Sequence, residues 1–530
     1  MTTAKSCESG GIRPITGAVL LLVFACLITV LGLWENELES GDETRVAGIA
    51  AEMVIEGDYL VPHLNGEPFL EYPPLHYWMM AGAYKTFGIN DFAAKFPSAL
   101  MAVLCGFLVY LFARKMRYPV GFALLATIML MTSAQFFGNS RKCMVDMSLA
   151  FFVLLAVYGF FALTQAANWR GRAGYILLFI IGCAGGIYSK GLLGLCIPVA
   201  TLGGWLVLSD VAQKRVSIGR YIWLAIGVAA SIAIAGIWYY LIYRRSGEMF
   251  HTAFYVNNIG RFTGSQGDHD EPFYYYLTKL PTLFVPWMII MPFALWRFCR
   301  KTYRNYDEAM ALILVFLLVP LAALTVASGK RTVYLLPLYA PCALLCAGYI
   351  WSLSEGIKQK FVAIWQRFYL GWVSAAAGYI AFIVLGVLAF GWGMLYSLLG
   401  VSMLTALILV KGRMAKLCLL LATTALLYVA IYVAIGAGQG ESLRPLFERV
   451  AELEAEGKQV VMIVDSERTV GAAYFYLHHG IGEDIDPAGD APPPGVCWLT
   501  RKRPVADSLN CELFNDSHKL ITGKRSPDTE

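Results

Sequence analysis

Two adjacent carboxylates, Asp42 and Glu43, stand just before Arg45 in a polar stretch that follows the first apolar run. A third carboxylate, Glu71, opens the segment Glu71-Tyr72-Pro73-Pro74-Leu75-His76-Tyr77-Trp78. A carboxylate partly withdrawn from water has a raised pKa and becomes a better proton acceptor near neutrality. Next to aromatic anchors at membrane-surface depth, such a group could serve as a proton acceptor. The blander reading is that Asp42 and Glu43 only cap the helix expected over 47–55, since acidic residues are common at helix N-termini.

Three further stretches put ionisable groups where an apolar run begins or ends. Arg141 and Asp146 lie in Asn139-Ser140-Arg141-Lys142-Cys143-Met144-Val145-Asp146. Five residues apart, they do not share a helix face, so each needs its own partner. Lys190 sits in Tyr188-Ser189-Lys190-Gly191, and Lys330 and Tyr334 lie in Ser328-Gly329-Lys330-Arg331-Thr332-Val333-Tyr334. Ionisable groups at a bilayer boundary mark function by default, and cations there suit a phosphate through charge-assisted hydrogen bonds. Snorkelling to lipid headgroups is the alternative. The aromatic clusters around Phe254-Tyr255 and Phe273-Tyr274-Tyr275-Tyr276 read either as an interfacial belt or as faces on which a sugar packs.

The elements that must hold these groups are mostly membrane spans. Of the 530 residues, 58% are apolar and 15% charged, against about 25% charged in soluble domains. A span needs about 20 apolar residues. Such runs occur near 16–33, 96–113, 119–137, 147–166, 174–189, 191–209, 221–243, 281–296, 309–327, 333–351, 368–390, 394–410 and 417–436. The expected fold is therefore an α-helical polytopic membrane protein with about thirteen spans, the first retained as an anchor. Basic clusters such as Arg114-Lys115-Met116-Arg117, Lys214-Arg215 and the one over 297–304 fall on alternate loops. That pattern puts these loops and the N-terminus in the cytoplasm, and the segments 35–95 and 244–280 and the C-terminal tail outside. The net charge of +5 is small and dispersed, which points away from nucleic acid.

The division expected is a transmembrane part over 1–436 and a tail over 437–530. Within the tail the pattern predicts a helix over 442–456, a strand over 460–464, a helix over 470–477 and a strand over 496–500, with a disordered end of about a dozen residues. This is a small α/β domain on the outer face. Most of the 12 cysteines lie in apolar runs, whereas Cys497 and Cys511 lie in the tail and could pair in an oxidising compartment.

In order along residues 12–350, the Asp-Glu pair, the Glu-x-Pro-Pro-Leu-x-Tyr-Trp stretch, Arg-x4-Asp, the Lys-Gly turn, the Phe-Tyr-Tyr-Tyr-Leu region and Gly-Lys-x3-Tyr-x-x-Pro resemble the protein O-mannosyltransferase superfamily. The likeness is greatest to bacterial lipid A aminoarabinose transferases. The resemblance implies a GT-C-type inverting glycosyltransferase of the inner membrane. It would use a polyprenyl-monophosphate sugar and act on a hydroxyl of a glycolipid, glycan or protein. It implies Asp42 as general base, Glu43 and Arg45 orienting it, Arg141 near the donor phosphate, Asp146 as a second acidic site, and Glu71 as a ligand to a possible divalent metal. Lys190, Lys330 and Tyr334 would complete the donor and substrate contacts. Tyr72 stands where those enzymes commonly have Lys, and Asn257-Asn258 where some relatives have Glu-His. These departures count against a metal site built on that histidine and against aminoarabinose as the sugar. The competing class is a transporter or flippase of a lipid-linked substrate, but no internal repeat of the kind such proteins carry is visible.

Overall fold

The computed structural model describes residues 13–38, 42–260, 271–327, 329–356, 413–436, 442–463, 467–484, 492, 495–500, 509–513 and 519–524. It opens on α1 (Pro14–Val30), followed by α2 (Asp42–Glu56), a small hairpin of β1 (His63–Leu64) and β2 (Glu67–Pro68), and α3 (Leu75–Phe87). Long helices come next: α4 (Asp91–Lys115), α5 (Val120–Met131), α6 (Ala134–Ser140), α7 (Asp146–Thr164), α8 (Trp169–Lys190), α9 (Leu193–Gln213) and α10 (Ile218–Arg245). The short α11 (Gly247–Phe250) runs into a π-helix over His251–Gly260. Then follow α12 (Tyr275–Leu283), α13 (Met291–Arg304), α14 (Glu308–Val326), a 3-10 helix over Thr332–Leu338, α15 (Tyr339–Gly356) and α16 (Arg413–Gly436). The tail holds α17 (Arg444–Ala455), β3 (Gln459–Ile463), α18 (Glu467–Leu477), β4 (Gly482–Asp484), β5 (Val496–Thr500), β6 (Leu509–Leu513) and β7 (Lys519–Lys524).

Among the described residues, seven helices are long and apolar enough to cross a membrane: α4, α7, α8, α9, α10, α14 and the stretch Thr332–Leu353. The chain is an integral membrane protein. Capping fixes several helix starts. The Asn90 side chain accepts from Ala93 N at 2.9 Å before α4, Asn168 from Gly171 N at 2.8 Å near the start of α8, and Asp307 from Ala309 N at 3.0 Å before α14. Each satisfies an amide that the first helical turn leaves without a partner. Along α10, Ile222, Ile226, Ile234 and Ile237 are exposed, which suits lipid and would be costly in water.

Two expected spans are not single helices. The 119–137 run bends by 72° between α5 and α6. The 281–296 run breaks into the end of α12, a 3-10 turn over Trp287–Ile289 and the start of α13, because Pro281, Pro286 and Pro292 each withhold an amide from the ladder. The runs at 368–390 and 394–410 lie outside the described residues.

Two large cores form. One joins buried residues of α1, α4, α5, α7, α9, α14 and α15, among them Phe24, Phe112, Phe160, Trp205 and Tyr339. The second joins the segment after α1 to the tail: Val46 and Ile49 of α2, Tyr77 and Met80 of α3, Phe447 of α17, Val470 and Phe475 of α18, Leu499 of β5 and Leu520 of β7. In this second core, whose surroundings are watery, each such side chain contributes roughly 1.5–3 kcal/mol when fully buried, whereas the first core is held by close packing between helices that lipid would otherwise surround.

The tail strands make one sheet in the order β4-β3-β5-β7-β6. β3 is parallel to β4 and β5, while β7 is antiparallel to β5 and β6. The sequence expectation of a disordered end fails for Lys519–Lys524, which pair on both sides as β7. Apolar Leu520 and Ile521 are buried there, and the charged residues around them hid that core pair. The pairing of Cys497 with Cys511 rests on a Cys511 side chain that lies outside the described residues.

Candidate active site

Helix α2 begins at Asp42, so its free amides and dipole favour a carboxylate there. Arg45, one turn on, places Nη2 3.3 Å from Asp42 Oδ1 and 3.1 Å from Glu71 Oε2. Its Nη1 reaches Glu467 Oε2 at 2.7 Å, and its Cζ lies 5.2 Å from the Phe69 ring centre. Burial works against the guanidinium charge, but Glu71, Glu467 and Asp42 outweigh it and hold the Arg45 pKa above its ordinary value. The Asp42 side chain keeps 31% of its surface open, and Arg468 Nη2 lies 3.8 Å from its Oδ1.

Glu71 and Tyr72 carry the site onward. The Leu70 carbonyl accepts from Asn257 Nδ2 at 2.7 Å, which pins the loop to the π-helix. Tyr72 is buried, and burial pushes its hydroxyl pKa up to about 12 although Lys190 opposes the shift. Its hydroxyl accepts from Arg331 Nη1 at 3.4 Å. Lys190 Nζ lies 5.5 Å from the Tyr72 ring centre and 4.8 Å from that of Tyr334, both within cation–π range.

Lys190 ends α8 and pairs with Asp146, the first residue of α7. With 6% and 1% of their side-chain surfaces exposed, these two charges depend on each other. The turn after Lys190 requires Gly191, whose φ of +63° is unfavourable for other residues. A Cβ there would also stand 2.0 Å from Asn258 Oδ1, the atom that accepts from Leu192 N at 2.8 Å. Asn257 and Asn258 thus brace both sides of the site from one π-helix, a form often found at functional sites.

The structure therefore links Asp42, Arg45, Glu71, Asp146, Lys190 and Tyr334 into one chain of contacts running through Tyr72. Three expected residues make contacts outside this chain. Glu43, buried, accepts from Cys143 N at 2.6 Å and ties α2 to the loop before α7. Lys330 donates to the Glu271 carbonyl at 2.8 Å. Arg141, expected near a donor phosphate, is 0% exposed. Its guanidinium donates to Ile28 O at 3.0 Å, Thr29 O at 3.1 Å and Leu31 O at 2.8 Å. These carbonyls end α1, where no further amide can reach them, and the Tyr432 ring covers the same guanidinium at 4.0 Å.

Sequence reasoning passed over Glu467 and Arg468, which come from the tail, and gave Arg331 no role. An acidic and a basic residue at the start of a predicted helix was the only signal for the tail pair. No group of three His, Cys, Asp or Glu side chains able to hold a metal gathers among the described residues. Glu71 is engaged by Arg45, and Asn257 and Asn258 make amide contacts to backbone. The residues present do not fit a metal at Glu71.

Residues 19–247 match the family model described as dolichyl-phosphate-mannose-protein mannosyltransferase. The chain is 28% identical over 373 residues to the undecaprenyl phosphate-alpha-4-amino-4-deoxy-L-arabinose arabinosyl transferase of Aeromonas hydrophila subsp. hydrophila, covering 70% of this chain and 65% of that protein. It is 29% identical over 349 residues to the protein of the same name from Yersinia pestis, covering 66% of this chain and 62% of that one. The likeness thus spans somewhat less than two thirds of these relatives. In fold the chain is similar to the crystal structure of ArnT from Cupriavidus metallidurans bound to undecaprenyl phosphate. The TM-score is 0.73 at 17% identity, over 95% of this chain and 97% of that one. The Archaeoglobus fulgidus oligosaccharyltransferase aligns with a TM-score of 0.53 at 12% identity, over 92% of this chain and 69% of that one.

Proposed function

We propose that the chain belongs to the superfamily of the protein O-mannosyltransferases and the aminoarabinose transferases, which its likenesses support, and that it is an inverting glycosyltransferase. It moves a sugar from a polyprenyl-monophosphate donor to a hydroxyl of a glycolipid, glycan or protein acceptor outside the inner membrane. The observation that carries this reading is the graded exposure of one contact chain. Its outer end is a partly open carboxylate, Asp42, and its inner end a buried cation, Lys190, flanked by Tyr72 and Tyr334.

In the reaction, Asp42 takes the proton of the acceptor hydroxyl as that oxygen bonds to the anomeric carbon from the face opposite the phosphate. The bond from the anomeric carbon to the phosphate oxygen breaks, and the polyprenyl phosphate leaves with the electron pair. A well-placed base contributes about 10²–10⁴-fold. Lys190, with Tyr334 beside it and Arg331 on the hydroxyl of Tyr72, is assigned to the charge that grows on the leaving phosphate. Asp146 is too buried to meet an acceptor, so its part is to hold Lys190. Arg45 and Glu71 orient Asp42, and no step passes through a metal. Donor recognition of this kind agrees with the undecaprenyl phosphate carried by the ArnT structure.

The same reading puts the N-terminus in the cytoplasm and the C-terminus outside. It divides the chain into a membrane part of about thirteen spans over 1–436 and an extracytoplasmic α/β domain over 437–530. Basic loops on alternate sides and the separate tail sheet support it. Mass spectrometry of envelope lipids, glycans and glycoproteins from a strain lacking the gene tests the function. One sugar substituent should disappear and return with the wild-type gene; an unchanged envelope under conditions where the gene is expressed would contradict it.

A further inference from the structure

The tail enters the candidate site through the start of α18. Glu467, its first residue, takes Arg45 Nη1, and the Arg468 carbonyl accepts from Thr44 Oγ1 at 2.9 Å. The two helices meet backbone to backbone. A Cβ on Gly48 would lie 2.0 Å from the Gly471 carbonyl oxygen, and one on Gly471 would lie 2.6 Å from Arg45 Cα. Behind this contact Thr469, Val470, Ala472 and Ala473 are buried. Close backbone contact leaves α18 little room to slide along α2, so the Glu467 carboxylate is delivered to one place.

That place matters because the guanidinium is a rigid fork. One prong, Nη2, serves both Asp42 and Glu71, while the other, Nη1, is held by Glu467. We propose that Glu467 is a positioning residue for sugar transfer: it anchors the outer prong of Arg45, so that the inner prong orients Asp42 without closing on it. The membrane-embedded part and the tail then build one active site between them. The inference rests on the reading of Asp42 as the base. The charged groups around Asp42 are Arg45 on α2, Glu71 on the loop after β2, and Glu467 and Arg468 on α18, with Arg331 farther off. Without Glu467, more of the Arg45 charge falls on Asp42. The guanidinium is then free to turn on its stem and close on Asp42, which takes the carboxylate out of the position it holds with Glu467 in place.

The test uses the full-length protein in the strain lacking the gene, with undecaprenyl phosphate as the binding probe on purified protein in nanodiscs. Glu467→Ala and Glu467→Gln should lower the amount of sugar restored by roughly 10- to 100-fold, the loss expected of a displaced base. Binding of undecaprenyl phosphate should be unchanged, and Glu467→Asp should recover most of the transfer. Wild-type transfer by Glu467→Ala would overturn the inference. Should that variant fail to accumulate, the near-isosteric Glu467→Gln decides, and wild-type transfer there overturns it equally. If even the wild-type gene restores no sugar, the transferase reading falls and this inference with it.

Discussion

Asp42 and Glu43 are neighbours in sequence but point to different tasks, because successive residues on a helix are turned by about 100°. Asp42 meets Arg45 and keeps an open surface, while Glu43 is buried against the Cys143 amide. The two arginines differ in the same way. Arg45 is ringed by three carboxylates, whereas Arg141 satisfies three carbonyls at the end of α1. The sequence marked both arginines as chemically capable, but depth of burial and direction are properties of packing and are not written in residue type. Arg141→Ala should therefore act on stability. Losing charged hydrogen bonds and leaving buried carbonyls unpaired costs on the order of 3–5 kcal/mol, visible as a lower unfolding temperature in detergent. Undecaprenyl phosphate affinity of the folded protein should stay as it was; a loss of affinity at unchanged stability would return Arg141 to the phosphate site.

At the scale of elements, hydropathy locates most helices because the bilayer demands long apolar runs, and α4, α7, α8, α9, α10 and α14 fall where the sequence places them. It does not show how a run is bent or broken: at the 72° turn between α5 and α6, Ala134 N donates to Val285 O at 2.9 Å and Tyr428 Oη to Thr132 O at 2.7 Å, and three prolines interrupt the 281–296 run. β7 escaped notice for a related reason, since a short strand between charged residues acquires its core only from partners distant in sequence. Helix α3 offers a measurable consequence of its burial. His76 is fully buried, its Nδ1 3.0 Å from Ser148 Oγ, and burial lowers its pKa from 6.5 to about 3. Folded His76 thus stays neutral while the unfolded chain protonates below about 6.5, so stability is intact above that pH and falls as pH drops towards 3. Between pH 6.5 and 4.5 the loss should reach ~2–3 kcal/mol. Thermal unfolding against pH should show a slope that flattens in His76→Gln; an equal slope in both proteins would assign the acid sensitivity elsewhere.

For the whole molecule, the candidate site lies where two parts far apart in sequence share a core. The segment between α1 and α4 packs on α17, α18 and the tail sheet, while α7 and α8 bring Asp146 and Lys190 up from the helical core. A polytopic fold with a polar cluster at one end of its helices suits a reaction whose donor stays in the lipid and whose acceptor hydroxyl is met at the membrane surface. The account stands on Asp42 as the group that takes the acceptor's proton. Its most direct test is to express Asp42→Asn at wild-type level in the strain lacking the gene and to quantify the missing sugar by mass spectrometry. Undecaprenyl phosphate binding by the purified variant is measured alongside. The expected result is a loss of about 10²–10⁴-fold in transfer with lipid-phosphate binding retained. Restoration of the sugar to wild-type level by Asp42→Asn would contradict the account.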